Sequence, residues 1–189
     1  MEKARYTKVW DLLVRTFHWL LVTAFIVAFV TEDDYLTLHS WAGYLIVAAI
    51  AVRFLWGFIG TQHARFKEFV ATPKEAMRYT KDMLALRAKR YIGHNPAGGI
   101  MIVTLMASLI ITTVTGIAVY GAEEQAGPMA SWFVGAGEFW EDFFEELHEF
   151  FANFTLLLVL IHLAGVLIES VIHKENLVRS MINGLKRVE

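Results

Sequence analysis

The chain has 189 residues, of which 56% are hydrophobic and 19% are charged, and its formal net charge is −2. This composition is too apolar for a typical water-soluble domain, in which about 25% of the residues are charged. The absence of cysteine excludes disulfides, thiolate zinc sites, iron–sulfur clusters and covalent attachment of a cofactor through a C-x-x-C-H motif.

Four apolar blocks follow one another along the chain. A helix needs about 20 residues to cross a bilayer core roughly 30 Å thick, and each block has about this length. The short alternating segments typical of a membrane barrel are absent from the sequence. The blocks therefore predict an all-α fold, a transmembrane four-helix bundle forming a single domain over residues 1–189. Its spanning helices are expected at about residues 10–30, 37–60, 98–121 and 147–173.

The first two helices both contain ionisable residues. The first carries Arg15 and His18, and the second carries His39 and Arg53. An ionisable group inside a bilayer is costly, so each of them is expected to have a partner or to reach the headgroups.

The connection between the second and third helices is basic, with eight Lys and Arg residues from Arg65 to Arg90. Residues 72–75, Thr-Pro-Lys-Glu, have the pattern of a capping box with proline at the first helical position. The residues that follow mix Met, Leu and Ala with Lys and Arg. This pattern predicts an amphipathic helix at about residues 72–88, lying on the inner leaflet.

The third helix contains no histidine and is interpreted as a packing wall. After it, residues 138–147 are rich in Trp, Phe and Glu. We expect them to form the start of the fourth helix, above the membrane. The fourth helix carries His148 and His162, and Gly165 lies nearly one turn beyond the second histidine.

The charges are distributed unevenly among the connections. All 17 Lys and Arg lie near the chain termini, in the first two helices or in the basic connection. The positive-inside rule therefore places both termini and the basic connection in the cytoplasm, in a multi-pass protein of the bacterial inner membrane. The two other connections contain no basic residue and carry ten acids: Glu32, Asp33, Asp34, Glu123, Glu124, Glu138, Glu141, Asp142, Glu145 and Glu146.

Depth in the bilayer divides the seven histidines into two groups. His63, His94 and His173 lie beside basic or turn residues at the inner surface, and we interpret them as solvated or capping residues. The other four lie within the apolar blocks or at their outer edge, which is unusual enough to require an explanation for their burial. They are His18, His39, His148 and His162.

These four histidines fall into two levels. Counted from the basic residues at the inner boundary, His39 and His148 are each 26 residues away, whereas His18 and His162 are 10 and 12 residues away. The two histidines of the fourth helix are 14 residues apart, which is about 21 Å along a helix and within about 40° of the same face. Both can therefore point into one bundle core.

Two opposed imidazoles at each level suit haem iron, which takes four nitrogens from its own ring and needs only two axial ligands. Zinc needs three or four ligands from the protein. We therefore expect two non-covalent b haems: an inner haem bound by His18 and His162, and an outer haem bound by His39 and His148. In the competing interpretation, each histidine is a core residue that bonds a neighbouring carbonyl.

Further residues agree with bound haem. Gly43 lies one turn below His39, and Gly165 lies near His162; small residues let a flat ring approach the backbone, although they also suit helix packing. Arg15 and Arg53 are expected to pair with inner-haem propionates, with snorkelling to the headgroups as the alternative.

The chain resembles the prokaryotic cytochrome b-561 family, which includes the b-type membrane subunits of nickel–iron hydrogenases. The stretches that carry the resemblance cover nearly the whole chain; they are V-W-D-L-L-V-R-T-F-H-W, L-H-S-W-A-G-Y, R-F-L-W-G-F-I-G-T-Q-H-A-R-F, G-H-N-P-A-G-G and H-E-F-F-A-N…H-L-A-G-V…H-K-E-N-L-V-R-S-M. The resemblance implies a four-helix di-haem protein that moves electrons between quinone and a partner redox protein. It also implies axial ligands at His18, His39, His148 and His162. Family members differ in partner: some serve hydrogenases, some c-type cytochromes, and some oxidise superoxide.

We therefore expect transmembrane electron transfer between quinone and an outer-side redox protein. The outer acids favour a cationic partner such as a lysine-rich c-type cytochrome. Three alternatives stay open: a superoxide oxidase that passes electrons to quinone, a membrane anchor of a hydrogenase or dehydrogenase, and a histidine-lined ion pathway without haem. For the quinone we expect a place at the inner edge near Arg53, His63 and His94. Membrane lipid is the other expected partner, and nucleic acid is not expected.

Overall fold

The computed structural model describes residues 5–32 and 34–188, so Lys3 and Asp33, which entered the charge distribution, lie outside the described residues. Nearly all of the regular structure is helical, with one two-stranded sheet. The helices are α1 (Leu12–Thr31), α2 (Leu36–Ile59), α3 (Pro73–Leu84), α4 (Pro96–Ala122), α5 (Glu138–Ile172) and α6 (Leu177–Asn183). The strands are β1 (Tyr6–Lys8) and β2 (Leu185–Arg187), and short 3₁₀ turns occur at Gln62–Ala64, Phe66–Glu68 and Ala130–Trp132.

Four of these helices, α1, α2, α4 and α5, are long and apolar enough to cross a membrane. The predicted all-α fold with four spanning helices is therefore confirmed. The helix α5 has 35 residues, a length of about 52 Å, which exceeds a bilayer core of roughly 30 Å. Its first residue is Glu138, at the start of the aromatic and acidic segment that was expected to extend the fourth helix.

The helix α3 begins as its sequence predicts and ends earlier. Thr72 and Glu75 form the capping box: the Thr72 hydroxyl accepts from the Glu75 amide at 3.3 Å, and the Glu75 carboxylate accepts from the Thr72 amide at 2.9 Å. The expected end near residue 88 is wrong, because Leu86 adopts a left-handed φ of 56°. The amide of Arg87 then donates to the carbonyl of Asp82 at 2.9 Å, which closes the helix.

The chain divides into two units. One comprises residues 5–19, 52–104 and 159–188; we call it the terminal unit, because both ends of the described chain lie in it. The second unit comprises residues 20–32, 34–51 and 105–158.

The strands β1 and β2 join the two ends of the chain within the terminal unit. They are antiparallel, with Thr7 opposite Lys186. Beside them, Val9, Trp10, Val14 and Ala64 form a buried apolar cluster. The N-terminal and C-terminal segments are therefore parts of one folded unit.

Asp11 holds the start of α1 against the end of α2. One carboxylate oxygen accepts from the Val14 amide at 2.9 Å and caps α1. The other accepts from Trp56 Nε1 at 3.0 Å and from the Thr61 hydroxyl at 2.6 Å. Burial acts to raise the pKa of Asp11, but these hydrogen bonds outweigh it and hold the pKa below its usual value, so the carboxylate stays ionised.

A cluster of hydroxyl groups joins α4 to α5 in the second unit. Thr155 on α5 has no exposed surface. Its hydroxyl lies 2.7 Å from that of Ser108 and 3.2 Å from that of Thr112, both on α4. Interhelical hydrogen bonds of this kind hold membrane helices together, because water does not compete for the groups.

We predict that Thr155→Val lowers the free energy of unfolding by about 1 kcal/mol, since it removes the hydroxyl shared between the helices while keeping the side-chain shape. Denaturation in a mixed detergent measures the change. Thr113→Val is the matched control, because the Thr113 hydroxyl bonds only carbonyls of its own helix, with Leu109 at 2.8 Å. Equal losses in the two variants would contradict the prediction.

Candidate functional site

The second unit brings His39 and His148 together. Their ring centroids are 6.0 Å apart and their planes are nearly perpendicular, at 82°. One ring comes from α2 and the other from α5. The residue spacing predicted that His39 and His148 face each other at one depth, and in the fold the two rings are neighbours.

Backbone carbonyls fix the orientation of both rings. The Nδ1 atom of His39 lies 2.9 Å from the carbonyl oxygen of Ala28, and that of His148 lies 2.8 Å from the carbonyl oxygen of Thr112. A carbonyl only accepts, so both Nδ1 atoms carry the proton and both Nε2 atoms keep the lone pair. The carbonyl contacts of the competing interpretation are therefore present, and they are equally compatible with metal binding through Nε2. Metal-binding histidines usually donate their other ring N–H in this way.

The centroid distance of this pair is the one expected of two imidazoles that bind the same ion. Imidazoles that each bind an ion at about 2 Å place their ring centroids roughly 6 Å apart. Within residues 5–32 and 34–188, no group of three or more His, Asp or Glu side chains is arranged to hold a metal ion. An ion at this place therefore needs further ligands of its own, and a porphyrin provides them.

A glycine on α4 makes room for the His148 ring. A Cβ atom added at Gly116 would lie 2.7 Å from Cε1 of His148 and 3.0 Å from its Nδ1. The helix α4 is therefore more than the packing wall that its sequence indicated, since it provides both the slot for the ring and the Thr112 carbonyl that orients it. A glycine within an apolar helix was the available signal, but it does not reveal which side chain fills the space.

Gly43 and Gly165, the two glycines expected beside bound rings, have a different environment. A Cβ atom added at either position would meet no protein atom within 4 Å. These surfaces are open, as a flat apolar cofactor needs.

His18 on α1 and His162 on α5 lie in the terminal unit. They are close enough for the charge of His162 to act on His18. The described residues show no ring-to-ring approach between them like that of His39 and His148. The Nδ1 atom of His18 is buried and has no hydrogen-bond partner there. A buried polar atom without a partner is rare and indicates a missing group.

Arg53 is a buried cation of the terminal unit, with 3% of its surface exposed. Its guanidinium lies over the rings of Phe66 and Phe69, at 5.2 and 5.8 Å from their centroids. Its Nη1 atom is buried and has no hydrogen-bond partner among the described residues. An unpaired buried charge is strongly unfavourable, so this environment fits a bound anion such as a carboxylate.

Arg15 has a contact that the sequence did not indicate. Its Nη1 donates to the carbonyl of Ile182, and its Nε donates to the carbonyl of Asp11 at 3.4 Å. Arg15 therefore ties α1 to the end of α6.

His94 and His173, which their sequence neighbours indicated to be solvated or capping residues, are both largely buried in the fold. The ring of His94 packs against Trp10 and Phe69, with centroids 4.5 and 4.7 Å apart. Burial, followed by the charge of Arg53, lowers the pKa of His94 to about 3, so this ring is neutral. The side chain of His173 is 12% exposed and lies 3.3 Å from Glu169. His63 lies against Gly93, where an added Cβ would be 2.9 Å from its Nδ1.

Comparison with known proteins identifies the family. The sequence model of prokaryotic cytochrome b561 matches residues 9–184. A probable Ni/Fe-hydrogenase B-type cytochrome subunit of Azotobacter vinelandii is 24% identical over 97% of this chain and 90% of its own length. A protein of the same description from Cupriavidus necator is 23% identical over 98% of this chain and 88% of its own length. No solved structure matches the chain.

The family match extends over most of the chain and agrees with the four spanning helices. Haem, electron transport and a multi-pass location in the bacterial inner membrane follow from the family. The chain belongs to the prokaryotic cytochrome b561 family and is a membrane-integral b-type cytochrome.

Proposed function

We propose that the protein is a di-haem cytochrome b forming one domain over residues 1–189, with His18 and His162 binding the inner haem and His39 and His148 the outer one. The observation that carries the proposal is the His39–His148 pair, with centroids 6.0 Å apart and each Nδ1 held by a carbonyl. Each bound haem supplies a centre that accepts and releases one electron.

The chain's own residues have separate parts in this proposal. The carbonyls of Ala28 and Thr112 hold the outer imidazoles in orientation and increase their basicity. Gly43 and Gly165 leave space for the flat rings. Arg53 pairs with an inner-haem propionate, since its buried Nη1 lacks a partner among the described residues. Arg15 can do the same only with the donors that its carbonyl contacts leave free.

We further propose that electrons pass between quinone and a redox protein on the outer side. The outer side is the one opposite the cytoplasm, and the positive-inside rule places both termini and the basic connection in the cytoplasm. A place for the quinone at the inner edge near Arg53, His63 and His94 is supported by the Nδ1 atom of His94, which is buried without a hydrogen-bond partner among the described residues.

The outer face is expected to attract a cation. Residues 91–173 contain no Lys or Arg. Most of the acids in this region are exposed, and the resulting negative potential raises the association rate of a basic partner such as a c-type cytochrome. The same potential opposes the approach of superoxide, which makes the superoxide oxidase the weaker alternative. The exposed acids are Glu123, Glu124, Glu138, Asp142, Glu145, Glu146 and Glu149.

A second candidate is the membrane cytochrome subunit of a hydrogenase. The observation in its favour is the description of the curated relatives, which match nearly the whole chain. In that case the redox protein docks permanently, and it would co-purify with the cytochrome in stoichiometric amount from mild detergent. A transient c-type partner would be lost.

We predict two haems per chain in the purified protein and one in each ligand variant. His18→Ala and His162→Ala lose the inner haem, and His39→Ala and His148→Ala lose the outer one, because each iron loses an axial ligand. The haem-to-protein ratio and the reduced absorption spectrum measure the loss. His173→Ala is the control and keeps both haems; the loss of one haem in this variant would mean that the ligands are wrongly assigned.

We predict that Gly116→Ala lowers the occupancy of the outer haem and leaves the inner haem bound. The added methyl lies 2.7 Å from His148 Cε1 and displaces the ring from the Thr112 carbonyl. Helix propensity alone would favour alanine by up to about 1 kcal/mol, so the two effects have opposite signs. Gly98→Ala adds the same methyl to α4, at 3.3 Å from the Asn95 side chain, and serves as the control. Equal haem content in both variants would contradict the assigned role of Gly116.

We predict that the triple variant Glu138→Gln, Asp142→Asn, Glu145→Gln slows electron exchange with a lysine-rich c-type cytochrome by about tenfold at low salt, and less at high salt. Stopped-flow mixing measures the rate. A small anionic reductant is the control, since its reaction should become faster. If both rates are unchanged, the acids do not steer the partner.

A further inference from the structure

The helix α5 carries a buried carboxylate beyond the expected inner haem ligand. Glu169 lies seven residues after His162, about 10 Å along the helix and within about 20° of the same face. Only 8% of its surface is exposed. A carboxylate is seldom buried to this extent without a cation to pair with it.

No Lys or Arg in the described part of the chain forms an ion pair with Glu169. The nearby cations Arg90 and Lys186 are instead paired with Glu175, at 2.9 and 3.4 Å. Glu169 accepts a hydrogen bond from Tyr79 on α3, whose hydroxyl lies 3.0 and 3.1 Å from the two carboxylate oxygens. The Nε2 of His173 lies 3.3 Å from one of these oxygens but makes no hydrogen bond with the described residues.

The Tyr79 hydroxyl has one proton and three acceptors within reach, because the carbonyl oxygen of Lys89 also lies 3.0 Å away. Burial, followed by the charge of Glu169, raises the pKa of Tyr79, so the hydroxyl keeps its proton. Two arrangements of protons therefore give the Tyr79 hydroxyl and Glu169 a hydrogen bond to each other. An ionised Glu169 accepts from Tyr79, or a protonated Glu169 donates to Tyr79, which then donates to the Lys89 carbonyl. The arrangements differ by one proton on Glu169.

We propose that Glu169, with Tyr79 and His173, forms a proton-exchange site that binds one proton from the cytoplasm when the inner haem takes up one electron. The Glu169 carboxylate becomes a carboxylic acid as the haem is reduced, and it releases the proton on reoxidation. The summed charge of the haem and Glu169 therefore stays constant. His162 and Glu169 are about 10 Å apart along α5, and a negative charge added at the inner haem repels a carboxylate over that distance, which links the two events.

Three titratable groups of the described residues face Glu169, and each could in principle carry the exchanged proton in its place. Tyr79 approaches from α3, His173 from the turn after α5, and Lys186 from β2, where the charge of Glu169 acts on it. Lys186 is paired with Glu175, and Tyr79 keeps its proton. Glu169 and His173 are therefore the two candidate carriers, and separate variants distinguish them.

A purely structural role is the alternative, since the Tyr79–Glu169 contact also fastens α3 to α5. Glu169→Gln separates the two roles. The amide oxygen still accepts from Tyr79 and keeps the fastening, but the side chain no longer binds or releases a proton. Glu68→Gln makes the same chemical change on an exposed carboxylate of the terminal unit and is the matched control.

The test is a potentiometric titration of the full-length protein at several pH values, following the haem absorption bands. The inner haem is identified from its loss in His162→Ala. We expect its midpoint potential to fall as the pH rises, because reduction takes up a proton; about 59 mV for each tenfold change in proton activity is the upper limit of the slope. Glu169→Gln removes this slope, whereas Glu68→Gln and His173→Asn keep it. A carboxyl band gained on reduction in the infrared difference spectrum, and missing in Glu169→Gln, is the second expected signal.

An unchanged slope in Glu169→Gln, a pH-independent wild-type potential, or loss of the slope only in His173→Asn would each overturn the proposal. The inference rests on the di-haem function proposed above, but the two fail differently. If the purified protein holds fewer than two haems, the di-haem assignment fails. If it holds two haems with the expected ligands and Glu169→Gln leaves the pH dependence of the midpoint potential unchanged, only the proton-exchange site fails.

Discussion

The burial of imidazole in apolar membrane helices is the constraint on which the rest of this structure depends. An imidazole has one donor and one acceptor nitrogen, and a bilayer offers neither of them a water molecule. His39 and His148 satisfy the donor with carbonyls of Ala28 and Thr112. In the proposed function the acceptor nitrogens bind the haem iron, so the fold satisfies one nitrogen of each ring and the cofactor satisfies the other.

The two histidine pairs are supported differently. The outer pair is held by backbone carbonyls and by the slot at Gly116, all within the second unit. Around the inner pair, polar atoms of His18, Arg53 and His94 are buried without partners in the described residues. Binding of a group with acceptor atoms at these positions would therefore stabilise the terminal unit.

The length and spacing of the apolar blocks were enough to predict the four helices and the His39–His148 pair, because helical rise converts residue number into depth. The length and spacing of the helices do not predict the contacts of Arg15 with Ile182 and of His94 with Trp10. These contacts join residues far apart in the sequence, and local neighbours such as the G-H-N-P stretch indicate only a turn. Gly116 was visible as a glycine, but its role depends on a ring from another helix.

The pairing of β1 with β2 has a consequence for biosynthesis. Thr7 of β1 pairs with Lys186 of β2, which the ribosome adds only after all four spanning helices. The second unit contains no residue after 158, whereas the terminal unit also needs residues 159–188. Insertion of the four helices therefore precedes closure of the terminal unit, and a nascent chain stalled before β2 would lack the pairing that joins β1 to residues 185–187.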